Sequence, residues 1–107
     1  MPRYAIVKAM KSRNNSTVAR IKAKILPILK SAGVRRASVF GSAARGEPAP
    51  RDVDVLVEMP KSYGLFTFLA LKGELEDCLG EKVDLVEYSH IKPSLKDYIF
   101  RDEVRIL

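Results

Sequence analysis

Residues Val53–Glu58, VDVLVE, constrain this chain more than any other stretch. Read as a β-strand, the segment is apolar on both faces, so it belongs in the middle of a sheet that helices cover. Asp54 sits inside it and Asp52 just ahead of it. Side chains at i and i+2 of a strand share a face, so the two carboxylates are expected to project together. Ionised carboxylates that close repel, and burial makes the charged state costlier still. An arrangement of this kind asks for a cation or a purpose.

The flanking sequence supplies the layers. With 107 residues, 47% of them apolar and 30% charged, the chain has material for one core and one globular domain. From Thr17, the apolar positions Val18, Ile21, Ile25, Ile28, Leu29 and Ala32 follow helical spacing up to Gly33. Pro27 removes a backbone hydrogen bond inside that pattern, which predicts a kink or two abutting helices. Arg35–Phe40 reads as a short strand ending at Gly41. Residues 42–50 read as a loop with one helical turn at SAAR, closed by Pro48 and Pro50. Leu65, Phe68, Leu71, Leu75 and Leu79 mark a helix of about four turns, ended by Gly80. Cys78 falls beside that stripe and is expected in the core, while Tyr63, Phe66 and Phe68 read as core or partner surface. Lys82–Glu87 is a third strand, Pro93 opens a last helix as its N1 residue, and EVRIL reads as a short edge strand. The order α-β-β-α-β-α(-β) describes a small mixed sheet flanked by helices, an α/β (α+β) fold over residues 17–107. A basic extension over residues 1–16 precedes it.

Several function classes fall away on inventory. Cys78 is alone, which excludes an internal disulfide and a cysteine-based zinc site. The longest uncharged run, Ser62 to Leu71, is about half the roughly 20 residues needed to cross a bilayer. No secretory leader pattern opens the sequence, so the expectation is a cytoplasmic protein with no membrane partner. His90 is the single histidine, reads as a solvated loop residue, and has no Ser–His–Asp or Cys–His context. Charge is uneven: the first 36 residues carry ten Lys/Arg and no acid, the remainder nine bases against thirteen acids. Such an arm can meet nucleic acid or an acidic protein. Only Tyr4 interleaves its basic residues, which argues against nucleic acid as a direct substrate.

The segment before the acids is GSAARGE, Gly41–Glu47. It satisfies GxxxxG, but Glu47 and Pro48 stand where a P-loop has Lys and Ser/Thr. The Rossmann fingerprint also fails, lacking its second glycine. What survives is a strand ending in Gly41, with Ser42 able to cap a turn whose free N–H groups suit an anion. Asp84, in VDLV, has nearly the same apolar frame as Asp54. If the two strands pair, Asp52, Asp54 and Asp84 converge at one end of the sheet. Mg²⁺ is the natural ion for such a set, being hard, bound through one or two carboxylates and completed by waters and phosphates. Two such ions can clamp the attacking and leaving oxygens of a phosphoryl or nucleotidyl transfer.

VFGSAARGEPAPRDVDVLVE followed by VDLVE resembles the signature of the polymerase-β-like nucleotidyltransferase superfamily, a Gly-Ser turn and then D-x-D. LPILKSAGVRR, GLFTFLALKGELEDCLGEKVDLV and KPSLKDYIFRDEVRIL make residues 17–107 similar to its minimal nucleotidyltransferases (MNT). These are the MntA-type antitoxins of MNT–HEPN (type VII) toxin–antitoxin pairs. The resemblance implies the polymerase-β-like fold, with Gly41 and Ser42 holding the β/γ-phosphates of ATP. It implies Asp52 and Asp54 as Mg²⁺ ligands, with Asp84 as the third acid, sharing a metal and favouring deprotonation of the acceptor hydroxyl. Arg45 would brace the loop or lie near phosphates. The implied reaction moves AMP from ATP to a tyrosine hydroxyl of a partner HEPN ribonuclease toxin, silencing it. The alternative is a non-catalytic antitoxin that neutralises its partner by contact. Three positions depart from the family pattern or weaken an element: Arg51 before the first aspartate, Thr67 where an acid is common, and Gly73 within a helix.

Overall fold

The computed structural model describes residues 16–47 and 52–107. The basic extension up to residue 15, the Pro48/Pro50 pair and Arg51 lie outside the described residues. The elements run α1 (Ser16–Ser31), β1 (Arg36–Phe40), a single turn α2 (Gly41–Ala44), β2 (Val53–Glu58), α3 (Leu65–Leu79), β3 (Val83–Glu87), a 3₁₀ turn (Tyr88–His90), α4 (Pro93–Asp102) and β4 (Val104–Arg105).

The sheet order is β3-β2-β1-β4. β2 is internal, antiparallel to β1 and parallel to β3, and the C-terminal strand β4 takes the far edge against β1. Alternation along β2 divides the molecule. Val53, Val55 and Val57 are fully buried in the main core, where α1 contributes Ile21, Ile25 and Leu29 and α3 contributes Leu71 and Leu75. Leu56 points to the other face, into a smaller cluster with Phe40, Ile91 and Ile99. Asp54 shares that second face, because it lies two residues before Leu56. The period-2 rule therefore takes the carboxylate out of the main core and puts it on the side that α4 covers.

α1 is one continuous helix through Pro27, not two abutting ones. Pro27 and Ala23 are both exposed, so the carbonyl that loses its partner faces water and is solvated there. α3 ends as its sequence implies: Gly80 adopts φ 69° and donates its N–H to the Glu76 carbonyl at 2.8 Å. Its apolar stripe is narrower than the leucine spacing suggests. Leu71 and Leu75 are buried, but Leu65 is 68% and Phe66 87% exposed. Cys78 is exposed too, not in the core, its Sγ 3.5 Å from the Lys24 carbonyl oxygen. It stands two turns after Leu71 at the open edge of the contact with α1, where it meets the α1 backbone and stays accessible to solvent. Pro93 occupies the first turn of α4.

Glu87 ties the α3 side of the sheet together. It is 6% exposed and accepts hydrogen bonds from the Met59 N–H at 3.0 Å and from the Ser89 N–H and Oγ at 2.6 and 2.9 Å. Burial pushes its carboxyl up, but the bonds from Ser89 and Met59 outweigh that and hold it below the usual carboxylate range.

Two substitutions test this packing. Leu75→Ala removes a fully buried side chain between α1, α3 and the sheet, so urea unfolding should show a loss of about 2–5 kcal/mol. Gly73→Ala goes the other way. A Cβ there meets nothing within 4 Å, and relief of the glycine's helix penalty should add about 0.5–1 kcal/mol.

Candidate functional site

β1 ends at Phe40 and the chain turns at once. Gly41 takes φ +70°, a conformation that disfavours side chains. α2 closes as one turn, with the Arg45 N–H donating to the Gly41 carbonyl, Gly46 to Ala43 and Glu47 to Ser42, all at 3.1 Å. Phe40 is the N-cap and no side chain caps the turn, so Ser42 lies within the turn and does not cap it as its sequence position suggests. The first N–H groups of the turn keep no side-chain partner of that kind. A Cβ built on Gly41 would overlap the Asp54 carboxylate oxygen. Glycine is thus required twice over, by backbone angle and by the acid beneath it.

Register brings the acids together. Phe40 stands opposite Asp54 on β1, and Asp54 stands beside Asp84 on the parallel neighbour β3. Asp52 is exposed in a bend one residue before β2 begins, so a shared strand face is not what relates it to Asp54. It remains near enough to act. Burial first, then the charges of Asp84 and Asp52, push the Asp54 carboxyl up to about 6, while the positive Arg45 partly opposes them. Arg45 itself is held by two carboxylates: its Nη1 lies 2.9 Å from Asp102 Oδ2 on α4, and its Nη2 3.0 Å from Glu47 Oε2. Hydrogen bonding to Asp102 foremost, then to Glu47 and Tyr98, holds the guanidinium protonated well above its ordinary range.

In front of Asp54 and Asp84 opens a cleft of about 400 Å³. Phe40 and Ile99 form its apolar wall, and His90, Lys92, Leu95 and Tyr98 line it from the 3₁₀ turn and α4. Reading the sequence alone leaves His90 in a solvated loop and passes over Lys92 and Tyr98. His90 is indeed exposed, but it stands at the mouth of this cleft, its Nδ1 3.3 Å from the Tyr63 hydroxyl. The available signal for Lys92 was its place directly before the Pro93 helix start, next to a strand carrying an acid.

Among the described residues no group of three or more His, Cys, Asp or Glu is drawn tightly enough to cage a metal unaided. The donor set still suits Mg²⁺, which takes one or two carboxylates and leaves its remaining positions to water and phosphate. A carboxyl whose ionisation is opposed by two neighbouring acids is a group that a divalent cation would relieve.

The sequence matches the polymerase β nucleotidyltransferase family over residues 23–107, a span that holds the Gly41 turn and all three acids. The chain belongs to this family. A Methanocaldococcus jannaschii protein provisionally named a protein adenylyltransferase is 48% identical over 88 residues, 81% of this chain and 95% of the relative. The Thermococcus cleftensis protein adenylyltransferase MntA is 40% identical over 75 residues, 69% of this chain and 76% of its own length. Among solved structures, one described provisionally as a minimal nucleotidyltransferase superposes with TM-score 0.70 at 32% identity, covering 84% of this chain and 93% of that one. A complex of a tri-AMPylated HEPN toxin with its MNT antitoxin, from Shewanella oneidensis, has TM-score 0.66 at 19% identity over 83% of this chain and 71% of that one, a likeness of fold. The mixed four-stranded sheet flanked by helices is thus the nucleotidyltransferase fold that the motifs imply. No helix among the described residues is long and apolar enough to cross a membrane.

The raised Asp54 carboxyl generates a pH signature in metal-free nucleotidyltransferase. Its folded-state value of about 6 exceeds the unfolded value near 3.9, so its contribution to stability is present below about pH 4 and is lost as pH rises through 6. Asp54→Asn cannot ionise. In EDTA at pH 7.5 to 8, urea unfolding should find Asp54→Asn more stable by about 1 kcal/mol after allowing for solvent screening, with the gap closing towards pH 4.

Proposed function

We propose that this chain is an Mg²⁺-dependent protein adenylyltransferase that moves AMP from ATP to a tyrosine hydroxyl of a partner HEPN-type toxin and so silences it. The observation that carries the reading is the placement of Asp54 beside Asp84 directly under the Gly41 turn. Two relatives named as protein adenylyltransferases support the chemistry, and the fold is shared with an antitoxin bound to an AMPylated toxin. A further neighbour of the same fold is a toxin–antitoxin complex with AMP-PNP.

In this reading Gly41 and Ser42 hold the β/γ-phosphates through the free N–H groups of the turn. Asp54 and Asp84, with Asp52 at the rim, would hold Mg²⁺, in a two-metal arrangement when substrate phosphates complete the shell. The ion, when bound, supplies positive charge against the phosphates and makes the acceptor hydroxyl easier to deprotonate. Asp84, exposed at the cleft edge, accepts the hydroxyl proton and passes it to water. The acceptor oxygen bonds to the α-phosphorus, the bond from that phosphorus to the bridging oxygen breaks, and pyrophosphate leaves with the electron pair. Phe40, Ile99 and Leu95 give the cleft an apolar wall. A cytoplasmic setting would supply the ATP.

A second reading has its own observation. Leu65, Phe66 and Leu69 are exposed together on the first two turns of α3, an apolar face suited to neutralising a partner by contact alone.

Intact-mass measurement separates the two. Incubated with Mg²⁺, ATP and the partner, the protein should raise the partner's mass by one or more AMP units. Asp54→Asn or EDTA should slow the transfer by about a thousandfold or more. A partner whose mass never changes, yet which co-purifies and is neutralised equally by Asp54→Asn, would establish the contact reading instead.

A further inference from the structure

The turn from Gly41 to Ala44 has only four residues, too few for a helix to persist on its own hydrogen bonds. Its ends therefore need a tertiary hold. The backbone N–H of Arg45 closes the turn onto the Gly41 carbonyl, so whatever fixes Arg45 also fixes Gly41 and Ser42. The Arg45 side chain reaches across to the last residue of α4, where Nη1 meets Asp102 Oδ2 at 2.9 Å. Its Nε and Nη2 are taken by Glu47 at 3.0 Å each. The guanidinium fork is thus occupied by carboxylates at each of its nitrogens.

We propose that Asp102 is a positioning residue: acting through Arg45, it locks the Gly41–Ala44 turn to α4 and so sets how the turn sits on Asp54. The proposal rests on the reading of that turn as the phosphate-holding element. α4 also supplies Leu95, Tyr98 and Ile99 to the cleft in front of Asp54, so one ion pair joins the helix that lines the cleft to the turn that sits on Asp54. Asp102 lies 57 residues from Arg45 in sequence, and nothing in the motif around Gly41 marks it. The pair is partly exposed, with Arg45 42% and Asp102 18% accessible. Ion pairs of that kind add little to global stability, so the effect of losing this one is expected in the local geometry.

The test compares the unaltered protein with Asp102→Asn, Asp102→Glu, Arg45→Gln and the Arg45→Gln/Asp102→Asn double variant. Amide hydrogen exchange is followed at Arg45 and Gly46, and ATP–Mg²⁺ affinity by calorimetry. Asp102→Asn should speed exchange at those two amides by about tenfold and weaken ATP–Mg²⁺ by about tenfold, leaving β2 amides and the urea midpoint unchanged. Asp102→Glu should recover most of both, and the double variant should be no worse than Arg45→Gln, since the two act as one unit. Unchanged exchange at Arg45 and Gly46 in Asp102→Asn overturns the proposal. So does a loosened turn with undiminished affinity in a protein that binds ATP–Mg²⁺. An unaltered protein that binds no ATP–Mg²⁺ rejects the functional reading instead, and the exchange rates alone then decide whether Asp102 holds the turn.

Discussion

Parallel pairing of β2 with β3 places Asp54 and Asp84 side by side, and the rest of the molecule is arranged around that repulsion. The register is held by burial on the opposite face, where Val53, Val55 and Val57 fill the core under α1 and α3. Sliding β2 by one residue would put the carboxylate into that core and a valine over the cleft, a cost no small domain can carry. The apolar half of the strand thus fixes where the acidic half points. The packing that stabilises the domain is also what specifies its site.

The turn after β1 answers the same constraint from above. Asp54 comes so close to Gly41 that no side chain fits there, and Gly41 adopts a left-handed φ. The turn and the acid are therefore packed directly against one another. Arg45 opposes the ionisation penalty on Asp54 from the end of that turn, while its own charge is shared between Asp102 and Glu47. The electrostatic state of the cleft depends on residues from β2, β3, the turn and α4 together.

Much of this was readable from pattern. The stripe of α1, the Gly80 stop, Pro93 at the start of α4 and the β4 edge strand all follow from local chemistry that neighbours do not override. The misreadings share a cause. Pro27 interrupts a hydrogen-bond ladder, but its exposed position lets water take the freed carbonyl. Leu65 has the right spacing on α3 and yet is exposed, and Cys78 reaches the α1 backbone at Lys24 while staying accessible to solvent, because a helical stripe gives a direction and not the width of what it meets. Ser42 stands where a cap belongs, but the turn begins a residue earlier, with Phe40 as its cap. In the candidate site, the Gly41 turn and Asp54 could be singled out by type and spacing. Tyr98 and Asp102 could not, since each is an ordinary polar or aromatic residue on a helix, and Lys92 was marked only by its place directly before Pro93.

By itself the sequence determined the order of the main helices and strands and where α3 stops, that one strand is internal, and that Asp54 lies within it beside a glycine turn. Periodicity, helix stops and the residue types at turns are properties of neighbours along the chain. Tertiary structure decided which face of β2 carries Asp54, that Asp84 is its partner, that Asp52 lies in an exposed bend before the strand, and that Asp102 reaches Arg45. Those relations depend on strand order, register and the seat of α4, which arise from contacts between residues tens of positions apart.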